Sequence, residues 1–131
     1  MSRNLRAVAV LVGLGLATGC TGSNQVQTAT EDYKAALAEV GEMLKSLAEE
    51  HRKPPGKLAE LESVEPMIPL AGPAIRSGNI VYIWGTGYAA GSNQVVAYEK
   101  KTPSEGGYVL LQDGTVKEMS SSEFSSAPKA K

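Results

Sequence analysis

The feature that most constrains this chain is a one-sided apolar stripe that runs into a double proline. Between Thr30 and Lys53, the apolar residues Tyr33, Leu37, Val40, Leu44 and Leu47 recur at alternating steps of four and three, and Ala36, Met43 and Ala48 widen the stripe. A repeat near 3.6 residues puts them all on one side of an α-helix, and that side must be buried against another element. Thr30 is placed to cap the start, and Glu31 and Asp32 suit the positive end of the helix dipole. His51, Arg52 and Lys53 suit the negative end, and Pro54 and Pro55 stop the helix because neither has an N–H to donate. Gly41 costs roughly 1 kcal/mol against Ala in a helix interior, so it is expected to mark close packing. The stripe covers only about two heptads, and a coiled coil usually needs three or four. It is therefore read as the face that covers the chain's own core.

Downstream, Lys57–Ser63 predicts a short second helix, and Pro66, Pro69, Gly72 and Pro73 predict an irregular connector. Ile80–Trp84 is a strand apolar on both faces, which suggests a central or well-covered place, and Val95–Glu99 is a second strand. Tyr108–Gln112 and Thr115–Met119 flank Asp113-Gly114, a strong hairpin signal because a type I′ turn needs positive φ at both central positions. That turn sets Leu111 opposite Val116 and Tyr108 opposite Met119. Ser120 and Glu123 form a capping box for a last short turn around Phe124, and residues 125–131 read as a flexible tail. The order predicts an α+β domain over residues 30–124, with one long N-terminal helix packed on a small antiparallel sheet of three to four strands.

Charge and reactive residues narrow the function. The chain of 131 residues carries 13 Lys+Arg against 14 Asp+Glu, so it offers no electrostatic footprint for nucleic acid. One Cys and one His exclude an intramolecular disulfide framework and a Cys-rich zinc site. Gly85-Thr86-Gly87-Tyr88-Ala89-Ala90 follows a strand and matches the dinucleotide pattern G-x-G-x-x-A. Only Gly91–Gln94 separate it from the next strand, too few residues for a parallel crossover, so it is read as a mobile loop. His51 reads as a solvated helix end, Asp113 as a turn residue, the Ser120–Ser122 run as a cap, and Glu49, Glu50, Glu60, Glu62 and Glu65 as a solvated face. No catalytic, cofactor-binding or metal-ligating residue is assigned, and no enzyme is expected. The aromatics Tyr82, Trp84, Tyr88, Tyr98 and Tyr108 all fall in the sheet half. Tyr82, Trp84, Tyr88 and Tyr108, with the 85–94 loop, are the candidate contact surface for a glycan or protein partner, against the plainer reading that they are core.

The first residues carry an address. Arg3 and Arg6 precede an apolar run, Ala7–Thr18, which is too short to span a bilayer but suits the h-region of a signal peptide. Leu16-Ala17-Thr18-Gly19-Cys20 then resembles a bacterial lipobox and contains the chain's one Cys. The resemblance implies cleavage between Gly19 and Cys20 and acylation of Cys20, with residues 20–29 as a polar tether. Thr21, where an Asp would retain the protein at the inner membrane, implies the outer membrane, facing the periplasm.

The domain also resembles the soluble part of pilins and type II secretion pseudopilins. That likeness rests on Glu49-Glu50-His51-Arg52-Lys53-Pro54-Pro55 followed by Leu58 and Leu61, and on the closing run from Val109 to Val116. It implies a pilin-like fold in an envelope setting. The prepilin peptidase site and the unbroken apolar helix of that family are absent, so filament packing is not implied. The expected function is that of a lipid-anchored, non-catalytic binding or scaffolding module. The alternatives are an accessory component of a type II secretion or pilus-like system and a small envelope hydrolase.

Overall fold

The computed structural model describes the backbone of residues 21–131 and the side chains from residue 32 onward. The signal-peptide reading of residues 1–19, and Cys20 with it, lies outside the described residues. The elements in order are α1 (Thr21–Glu49), two 3-10 turns (Leu58–Ser63 and Glu65–Met67), α2 (Ala71–Arg76), β1 (Ile80–Tyr82), β2 (Val95–Glu99), α3 (Thr102–Glu105), β3 (Gly107–Leu111), β4 (Val116–Met119) and α4 (Ser121–Ser126). The class is α+β, with one antiparallel four-stranded sheet in the order β1-β2-β3-β4.

The apolar stripe is where the core begins. Ala36, Leu37, Val40, Met43, Leu44 and Leu47 are all buried, while Tyr33 is half-buried and Ala48 faces solvent. Fully burying a side chain such as Leu37 or Leu47 contributes about 1.5–3 kcal/mol. Gly41 supplies the close approach its position suggests. A Cβ there would lie 3.1 Å from Leu110 Cδ1 and 3.4 Å from the Gly114 carbonyl oxygen. The helix thus rests directly on the β3–β4 hairpin.

Both ends of this helix differ from expectation. Thr30 falls within the range of α1 rather than at its start, and the backbone of the expected tether from Thr21 onward belongs to the same helix. At the other end α1 stops at Glu49, before the basic residues. His51 takes a left-handed φ of 56°. Its N–H donates to Ala48 O at 3.1 Å, and the Arg52 N–H donates to Leu47 O at 2.8 Å. These paired bonds form a Schellman cap, a place usually held by glycine. His51 therefore ends the helix through its backbone rather than through its charge.

The connector is more regular than its prolines suggest. The second helix over residues 57–63 is a 3-10 turn, Leu58–Ser63, that buries Leu61. The expected irregular stretch contains α2, with Pro73 in its first turn, where a missing N–H costs nothing. Its start is capped from a distance: Glu39 Oε2 on α1 accepts from the N–H groups of Leu70 at 2.9 Å and Ala71 at 3.0 Å.

The sheet is covered on both faces. Ile80, Tyr82, Val96, Ala97 and Leu110 join the α1 stripe in the main core. On the opposite face Val95, Val109, Leu111 and Met119 pack with Phe124 of α4 in a second core. Val96 and Ala97, adjacent in sequence, both enter the main core because β2 carries an irregularity between Val95 and Ala97. β1 is an edge strand, not a central one, and its apolar residues are covered by helices rather than by a further strand.

The hairpin forms at the expected site but in another register. Leu110 pairs with Val116 and Tyr108 with Glu118. The loop holds three residues, Gln112, Asp113 and Gly114, closed by Leu111 N–H to Thr115 O at 2.8 Å and Gly114 N–H to Leu111 O at 3.0 Å. Gly114 takes φ of 91°, as the left-handed position of a three-residue loop requires. The extra residue turns Met119 to the second core, because one step of register reverses every side chain of the strand.

The capping box forms as expected: Ser120 Oγ accepts from Glu123 N–H at 3.1 Å, and Glu123 Oε1 reaches the Ser120 N–H at 3.5 Å. Residues 125–131, expected to be a flexible tail, are tied down. Val95 N–H donates to Pro128 O at 2.8 Å and Ala130 N–H to Val95 O at 2.9 Å, a parallel bridge beside β2. Lys129 Nζ bonds the carbonyls of Phe124 and Ala127 at the end of α4, and lies 4.3 Å from the centre of the Phe124 ring.

Two expectations follow. Gly41→Val places new carbons against the buried Leu110 and the Gly114 backbone, and lowers stability by about 1–3 kcal/mol in urea unfolding; an unchanged midpoint would mean that α1 does not rest on the hairpin. His51→Gly relieves the left-handed strain and raises stability by about 0.5–1 kcal/mol. A drop in its melting temperature would count against the Schellman cap.

Candidate functional site

The aromatic residues were the sequence's candidates for contact, and the structure separates them. Tyr82 is 4% exposed and belongs to the main core, so it is not part of any contact surface. Its hydroxyl donates to the Thr86 carbonyl at 2.5 Å, and its ring meets Trp84 edge to face, 5.1 Å between centres at 81°. Burial pushes the Tyr82 phenol up from 10.0 to about 12, against the lowering effect of its bond to Thr86. Trp84, Tyr88 and Tyr108 are half-buried against the same core. Tyr108 sits at the start of β3, where Lys34 Nζ lies 5.7 Å from its ring centre. Tyr88 lies in the β1–β2 loop, whose Ala89 N–H bonds Gln112 O at 3.0 Å, just past the other end of β3. The four side chains therefore do not form one platform. Trp84 and Tyr88 belong to the β1–β2 loop, and Tyr108 belongs to β3.

That loop is held by hydrogen bonds at several points. Gly85 N–H donates to Pro55 O at 2.8 Å, which moors it to the double proline after α1. Thr86 is buried, and its hydroxyl donates to Ile83 O at 2.7 Å. Ser92 Oγ donates to Gln112 Oε1 at 2.7 Å, and Gln112 N–H to Gln94 O at 2.8 Å. The G-x-G-x-x-A stretch thus connects two antiparallel strands and opens no helix, as its short spacing predicted. What it offers chemically is a preformed surface with Trp84 and Tyr88 on it.

A second feature had no signal in the sequence. A cleft of about 560 Å³ opens where α3, the start of β3, the end of β4 and the α4 cap meet, and Glu99, Lys101, Glu105, Glu118 and Glu123 are among its lining residues. Glu99 is only 2% exposed, and its Oε2 accepts the Tyr108 N–H at 2.6 Å. A Cβ on Gly107 would sit 2.5 Å from that oxygen, so the glycine makes room for the carboxylate. Glu99 closes the β2–β3 ladder with its side chain at the point where α3 interrupts it. Glu123 is likewise used by the capping box. Among the described residues no group of three or more His, Cys, Asp or Glu is placed to hold a metal ion. A second depression, about 400 Å³, lies between α1 and α2 and is mainly apolar, with Tyr33, Ala36, Leu70 and Pro73 in its wall.

The other polar residues weighed in the sequence are turn and cap groups. His51 is exposed at the end of α1. Asp113 Oδ1 accepts the Thr115 N–H at 3.0 Å, and this bond holds its carboxyl below the usual carboxylate range. Ser120 is the N-cap of α4. Among the described residues no helix is long and apolar enough to cross a membrane.

The Tyr82 phenol gives a direct check of this packing. Between pH 10 and about 12 the unfolded chain loses that proton while the folded chain keeps it, so stability falls as pH rises through this window. Tyr82→Phe should therefore remove the tyrosinate absorbance that develops toward about pH 12. No loss of absorbance there would place Tyr82 in water.

No protein-family model, no curated protein and no solved structure matches the chain.

Proposed function

We propose that this chain is a lipid-anchored cell-envelope protein that works by contact, as a non-catalytic binding or scaffolding module. The observation that carries the reading is the coincidence, at Cys20, of the only cysteine with a lipobox-like Leu16-Ala17-Thr18-Gly19 stretch behind a basic start and a short apolar run. Acyl chains on that thiol and on the new amine would exceed the two-chain threshold for stable anchoring, at roughly 0.8 kcal/mol per buried CH₂. The anchor would hold the domain beside the outer membrane, on the periplasmic side, and raise its concentration near an envelope protein or glycan. The contact surface in this reading is Trp84 and Tyr88 on the pinned β1–β2 loop. A loop already fixed by hydrogen bonds loses little entropy on binding.

A second reading, as an accessory of a type II secretion or pilus-like system, is favoured by one arrangement. A helix lies across an antiparallel meander and rests on its Asp-Gly hairpin, as in the pilin-like layout. Capture of pseudopilins by the full chain would favour this reading over a general scaffold.

The anchor and the contact surface are tested separately. Cys20→Ala should move the protein from the membrane fraction to the soluble one, and mass spectrometry of the processed N-terminus should find acyl chains on the wild-type sulfur. An unmodified thiol in wild type would overturn the anchor. Trp84→Ala with Tyr88→Ala should leave membrane association intact and reduce whole-cell crosslinking to a partner by about tenfold, on the scale of an interfacial aromatic contact. Unchanged crosslinking would remove this surface from the proposal.

A further inference from the structure

We draw no further inference here: the strongest candidate, the acidic cleft between α3, the end of β4 and the start of α4, is a cluster of carboxylates whose one buried member, Glu99, is already bonded to the Tyr108 N–H, and no second feature of the structure points to a ligand.

Discussion

The contact between α1 and the β3–β4 hairpin sets the rest of the molecule. Helices usually stand off a sheet by the length of their side chains. At Gly41 there is no side chain, and the Leu110 methyl and the Gly114 carbonyl oxygen lie 3.1 and 3.4 Å from where a Cβ would be. This approach fixes the height and rotation of α1, so that Leu37, Val40, Leu44 and Leu47 all enter the main core together. The helix-propensity loss at one glycine, roughly 1 kcal/mol, is small beside the burial of those side chains. Once α1 is seated, Glu39 reaches the first N–H groups of α2, and the short helix is held at the distance its cap requires.

A single helix covers only one face of a four-stranded sheet. The opposite face would be left with Val95, Val109, Leu111 and Met119 in water. The chain solves this with its last residues: α4 places Phe124 over them, and Tyr98 meets its ring at 4.7 Å between centres. The segment after α4 then crosses the sheet edge. Ala130 joins the main core while Phe124 lies in the second, so the C-terminal residues bind the two layers together. Lys129 satisfies the open carbonyls at the end of α4 and spares that short helix the cost of unpaired acceptors.

What the sequence revealed follows the range of each signal. The α1 stripe, the Asp-Gly turn and the Ser120–Glu123 box are local patterns, and each appears where it was expected. The strand register was not legible, because Asp113-Gly114 serves a two-residue and a three-residue loop equally well. Only the bond from Leu111 to Thr115 distinguishes them. α2 was hidden because its N-terminal partner, Glu39, lies on another helix. The second core was hidden because a short segment around Phe124 has too few apolar residues to show a period. Of the candidate site, the loop and its aromatics were legible as residues. Their separation was not, since it depends on which end of β3 each one meets. The burial of Tyr82 in the main core follows from its place opposite Ala97, which is a property of strand pairing.

The polar side chains follow a consistent pattern. Several carboxylates and hydroxyls are spent on backbone atoms: Glu99 on Tyr108, Glu39 on α2, Ser120 and Glu123 on each other's N–H groups, Asp113 on Thr115, and Thr86 on Ile83. A carboxylate or hydroxyl already holding a backbone group must give up that bond before it can act on a substrate, at a cost of about 1–3 kcal/mol when the group left behind is buried. One of these bonds, Thr86 to Ile83, lies in the loop that carries Trp84 and Tyr88, which Gly85 to Pro55, Ala89 to Gln112 and Ser92 to Gln112 also hold. A segment held in this way has less entropy left to lose on binding. A small domain that commits its polar groups to its own backbone is suited to presenting a fixed shape. In the reading proposed above, the anchor at Cys20 would bring that shape to its partner.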